Sequence, residues 1–128
     1  MNRFAPYAAL VLRLAVGGVF LHHGIGKLQG GLAGVSGFMH TLGIPFATLS
    51  ALVVMAVETV GAVGVLLGVA TRIWAACMSV EMVVAILVAN IPAGRGFELE
   101  GLLLAGSLAL VALGDGPISV GRLLPRSG

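Results

Sequence analysis

Three charged residues, Arg13, Glu58 and Glu81, lie inside segments otherwise almost free of charge. Counted at about 1.5 Å per helical residue from one shared edge, each falls roughly 12–15 Å into an apolar slab about 30 Å thick. A charge facing lipid at that depth costs about 2.5–3.5 kcal/mol, which directs all three side chains inward to meet. The Arg13 guanidinium carries five donors and can grip one carboxylate in a fork or bridge two. One arginine against two ionised glutamates leaves an excess negative charge, so one glutamate is expected to hold a proton. Such a triad is either a proton-exchanging centre or an interhelical clamp that is nearly neutral in stability. Because ionisable groups inside a membrane are usually functional, Arg13, Glu58 and Glu81 are assigned as the catalytic set.

A second group of charges lies at the other end of the same segments: His22, His23 and Lys27, then Arg95, Glu98 and Glu100. Its plain explanation is interfacial, with Lys27 reaching toward the surface and Glu98 and Glu100 in a helix first turn that favours carboxylates. Its functional explanation is a ligand-binding set of His23, Lys27 and Glu100. Adjacent helix positions point about 100° apart, so only one of His22 and His23 faces inward. His23 is preferred because it shares a face with Lys27.

These charges must be carried by apolar elements. Of 128 residues, 59% are hydrophobic and 9% charged, and the mean hydropathy is +1.11. That composition describes a single all-α membrane domain. Breaks in hydrophobicity leave four segments long enough to span a bilayer, near 5–24, 47–68, 72–91 and 98–114, which predicts a four-transmembrane-helix bundle. The first is read as an uncleaved span, since Arg13 interrupts any signal-peptide core. Only Val69-Ala70-Thr71 separate the second and third, so these two form an antiparallel hairpin. In the Gly-rich connection after the first span, Val35, Phe38, Met39 and Leu42 would give a short interfacial helix one apolar face. Gly17, Gly18 and Gly24, with Gly61, Gly64 and Gly68, mark close helix packing. Arg3, Arg72, Arg122 and Arg126 outnumber Lys27 and Arg95, which places both termini in the cytoplasm of a multi-pass cell-membrane protein.

Several chemistries are excluded. Cys77 is the single cysteine, so intrachain disulfides and iron–sulfur ligation are ruled out. The three histidines, His22, His23 and His40, all precede the second span, against intrinsic haem. No glutamate is followed three residues on by histidine, against a di-iron site, and no phosphate-binding loop is present. The net charge of +2 is too small and scattered for nucleic acid.

The order of features is itself distinctive: Leu12-Arg13-Leu14-Ala15, Gly17, Phe20, Gly24, Lys27, Leu42-Gly43-Ile44-Pro45, Glu58, then Gly68, Thr71, Arg72, Ala85-Ile86 and Leu110 to Gly116. This pattern resembles the DoxX family of small four-helix membrane proteins, some of them linked to thiosulfate:quinone oxidoreductase. The resemblance implies a role for Arg13, Lys27 and Glu58 in a quinone site, with no intrinsic cofactor. It also implies membrane lipid and either a homo-oligomer or a membrane oxidoreductase complex as partners. Asn90 stands where many members have histidine, and Gly121 replaces a tail aspartate. The leading expectation is a quinone-binding redox subunit. The alternatives are a small proton-coupled transporter or efflux component and a non-catalytic scaffold.

Overall fold

The structure is a computed structural model and describes residues 3–124; Met1, Asn2 and 125–128, including Arg126, lie outside the described residues. Every regular element among the described residues is helical. After one tight turn at Ala5–Tyr7, α1 runs over Ala8–Thr41, α2 over Ala47–Leu67, α3 over Thr71–Asn90 and α4 over Glu98–Leu113. The first three are long and apolar enough to cross a membrane. The fourth has 16 residues, about 24 Å of helix.

α1 does not stop at Gly24–Lys27 as the sequence suggests. Glycine weakens a helix without ending it when neighbouring packing supports the turn, and here Gly24 lies directly against the Glu58 carbonyl of α2. The break comes instead at Gly31, at φ 79° and ψ 162°, a conformation open to glycine. It divides α1 into a long arm, 8–30, and a short arm, 32–41.

The bundle closes as a ring, α1 against α2 and α4, and α3 against α2 and α4. Its core joins Val16 and Phe20 of α1, Val57, Ala62 and Val65 of α2, Met78 and Met82 of α3, and Leu103 and Leu110 of α4. Large apolar side chains such as Leu14, Leu52, Ile73, Val80, Leu102 and Leu108 point outward. An apolar exterior on every helix is foreign to a water-soluble protein and suits hydrocarbon surroundings. The expected small-residue contacts divide. Gly61 and Gly64 receive the Trp74 indole and Gly17 receives Leu66, whereas a Cβ at Gly18 would meet nothing within 4 Å. Gly18 faces outward and is not a packing glycine.

Candidate functional site

At the end of the bundle away from the chain termini, all four helices surround a cavity of about 250 Å³. Its polar lining is His23, Lys27, Glu58, Glu81, Glu100 and Ser50. The rest is apolar: Val54, Met82, Ala85, Ala89 and Leu103 form walls, and Val35, Phe38, Met39 and Leu42 cover it from the short arm of α1. The four residues whose spacing forecast an amphipathic helix thus turn their common face onto charged side chains.

Inside the cavity, Lys27 Nζ donates to Glu58 Oε1 at 2.8 Å; the Glu58 side chain is 5% exposed and that of Lys27 30%. Local sequence produces this pair. Gly24 allows the α1 backbone to touch α2 at Glu58, and Lys27 follows one turn later. Helical side chains lean toward their own N-terminus, so the Lys27 ammonium comes back to the level of Glu58. Around Glu58, over Val57–Gly61, α2 widens to i→i+5 hydrogen bonding, a feature common at functional sites. The Thr59 hydroxyl donates to the Met55 carbonyl at 2.6 Å, a bond of the kind that loosens and bends helices.

Glu81 enters from α3. Both of its carboxylate oxygens are buried, and neither has a hydrogen-bond partner among the described residues. A buried polar group without a partner costs about 1–3 kcal/mol, so this site is arranged for something other than stability. His23 lines the cavity while His22 does not, as their angular separation on the helix requires. The site therefore brings together His23, Lys27, Glu58, Glu81 and Glu100, two glutamates of the expected triad with the expected ligand set.

Arg13 is not in this site, and its assignment beside Glu58 and Glu81 is corrected. It is 2% exposed at the opposite end. There Nε donates to the Val65 carbonyl at 2.9 Å, Nη2 to Leu66 at 3.1 Å, and Nη1 to Asp115 and Ile118, each at 2.7 Å. Val65 and Leu66 belong to the last turn of α2, which closes at Gly68 (φ 75°) with Gly68 N–H on Val65 and Val69 N–H on the Gly64 carbonyl. The guanidinium thus sits on the negative end of a helix dipole. Arg72 does the same for α4, donating to Val111 and Ala112 at 3.0 and 3.1 Å. Asp115 Oδ1 in turn accepts the Thr71 N–H at 2.9 Å, capping α3 from the tail. This end is a structural staple. The depth count from assumed helix ends misplaced Arg13: the α1 position that touches Glu58 is Gly24, eleven residues or about 16 Å of helix beyond Arg13, and the lean of the Arg13 side chain toward the N-terminus of α1 widens the gap.

Sequence reading missed two further features. Asp115, noted only within the stretch from Leu110 to Gly116, is the cap of another helix. Asn90, at the position where related chains were expected to carry histidine, is 6% exposed and donates from Nδ2 to the Gly96 carbonyl at 3.0 Å, holding the turn into α4. At Gly121 a side chain would strike Asp115 and the Gly68 carbonyl, so an aspartate there does not fit this tail.

The ion pair makes a specific prediction. Lys27→Met alone leaves a buried carboxylate without its partner and is expected to lower stability toward the low end of about 3–5 kcal/mol, Lys27 being partly exposed. Lys27→Met with Glu58→Leu is expected to recover most of that loss, whereas Arg13 and Glu58 substitutions should simply add. Thermal unfolding in detergent across both cycles measures this; strong Arg13–Glu58 coupling would restore the triad.

The chain belongs to the DoxX family: the family model described as DoxX matches residues 8–91, a span that holds every cavity residue named above except Glu100 and Leu103. Over 117 residues the chain is 33% identical to a protein of Bacillus subtilis (strain 168) named Putative oxidoreductase CatD, with 90% of this chain and 85% of that one covered. No solved structure matches the chain.

Proposed function

We propose that this DoxX-family chain is the quinone-binding subunit of a membrane oxidoreductase, with the ring seated in the Lys27–Glu58–Glu81 cavity. The observation that carries the reading is an apolar chamber in which an ion pair stands beside a buried carboxyl with no partner. Lys27 already balances Glu58. A second ionised carboxylate in the same chamber would have no counter-charge, so Glu81 holds the proton. Reduction of a quinone to its quinol takes two electrons and two protons. Glu81 delivers a proton to one ring oxygen, the other ring oxygen takes its proton from solvent, and the Lys27 ammonium supplies the charge that stabilises the reduced ring. A partner protein provides the electron pair; the Bacillus relative's name places the relative itself in redox chemistry. His23 and Glu100, which line the same chamber, return protons to Glu81.

In this reading α4 is a fourth, short span, so that the protein is multi-pass in a prokaryotic plasma membrane. The stapled end with Arg3, Arg72 and Arg122 faces the cytoplasm. A cavity of about 250 Å³ lies at the small end of ligand sites and suits a single ring rather than a dinucleotide.

Purification with native lipids, followed by solvent extraction, tests this. A quinone is expected to be retained by the wild type and lost in Ala89→Phe, which fills the chamber from the α3 wall. A wild type that neither retains a quinone nor binds an added one overturns the reading.

A further inference from the structure

The chamber shares a wall with an open groove of about 460 Å³ on the outer face of α1, where its two arms meet. His23, Lys27, Val35 and Phe38 line both spaces. The remainder of the groove is His22 and three glycines, Gly26, Gly30 and Gly34. A Cβ at any of the three would meet nothing within 4 Å, so the groove has a floor of bare backbone. Glycine weakens a helix, and no contact within the fold requires it at these positions. The space above them is what their absence of side chains provides.

We infer that this groove seats the hydrocarbon tail of the ligand whose ring occupies the chamber. The substrate class is therefore a ring carrying a long apolar chain, held at its head by Lys27 and Glu81 and along its tail by Gly26, Gly30 and Gly34. The inference rests on the quinone reading of the chamber. Size and direction support it. A chamber of about 250 Å³ accepts a ring but not a long chain as well. The chain must leave through a wall, and the wall shared with an outward groove consists of four side chains, two of them the apolar Val35 and Phe38. The groove lies on the outer face of α1, away from the bundle core, and a smooth glycine floor lets a flexible chain lie flat without meeting side chains.

Gly30→Leu tests this without disturbing the chemistry, since its side chain enters open space at a φ that any residue adopts and leucine favours helix. Gly34→Leu fills the groove from the other arm. Affinities of full-length protein in lipid nanodiscs are measured for one quinone ring in two forms, with a decyl chain and with a methyl group. Both variants are expected to bind the decyl form about ten-fold more weakly than wild type and the methyl form within about two-fold of it, because only the chain's apolar burial is lost. Unchanged decyl affinity in both variants overturns the inference. So does equal loss for both forms, or a change in oligomeric state of the ligand-free variants, which would assign the glycine face to a second copy of this chain. If the wild type binds neither form, the quinone reading of the chamber falls and the tail inference falls with it. If it binds both but the variants do not discriminate, only the tail inference falls.

Discussion

Arg13→Leu is expected to be the most damaging single substitution for folding while leaving the chamber chemistry untouched in whatever protein still folds. The guanidinium serves four backbone carbonyls. Val65 keeps its bond from Gly68, but Leu66, Asp115 and Ile118 lose the donor shown here. These three carbonyls are only partly buried, so each loss falls toward the low end of about 1–3 kcal/mol, and together they remain a sizeable share of a net stability of about 5–15 kcal/mol. The tail would also release Asp115 from the start of α3. Arg13→Lys keeps the charge at the α2 terminus but offers a point charge in place of a planar fork, so it should recover only part of the loss. Size-exclusion profiles and thermal unfolding followed by Trp74 fluorescence report the outcome. An Arg13→Leu protein melting like wild type would show that the staple is dispensable.

Glu81→Gln is expected to show the opposite pattern: a folded protein with little change in ring affinity and a quinone reduction rate lower by about 10²- to 10⁴-fold, the usual contribution of a positioned acid. Glutamine keeps the size and polarity of the side chain but has no proton to give. Glu98→Gln, an exposed position outside the chamber, should leave the rate unchanged. The assay follows quinol formation in membranes that contain the partner electron donor. Equal rates in Glu81→Gln and wild type would remove Glu81 from the chemistry.

The contrast between these two residues shows how far the chain's one-dimensional order carries. Hydropathy and glycine breaks place Glu58 and Glu81 on helices that meet, and the spacing of His23 with Lys27 orients the inward histidine. Depth counted from assumed helix ends misjudges the register between helices, however: Gly24, not Arg13, is level with Glu58. Arg13 leans toward the stapled end, while Lys27 leans back from the far end toward Glu58, so the partner of Glu58 changes from one to the other. The apolar face of Val35, Phe38, Met39 and Leu42 was legible as a period. What it covers depends on the bend at Gly31, and nothing in the local pattern selects Gly31 among the glycines around it. Asp115 was illegible for a different reason: its partner Thr71 lies 44 residues away, and no local propensity announces a cap supplied from across the bundle.

The central claim is that Glu81 carries an exchangeable proton beside the ring site, and infrared difference spectroscopy reads it directly. The purified protein in lipid is expected to show a carboxylic-acid C=O band that shifts when a quinone is added, shifts in deuterated buffer, disappears in Glu81→Gln and persists in Arg13→Lys. A spectrum without such a band, or a band indifferent to both quinone and Glu81→Gln, would contradict the account.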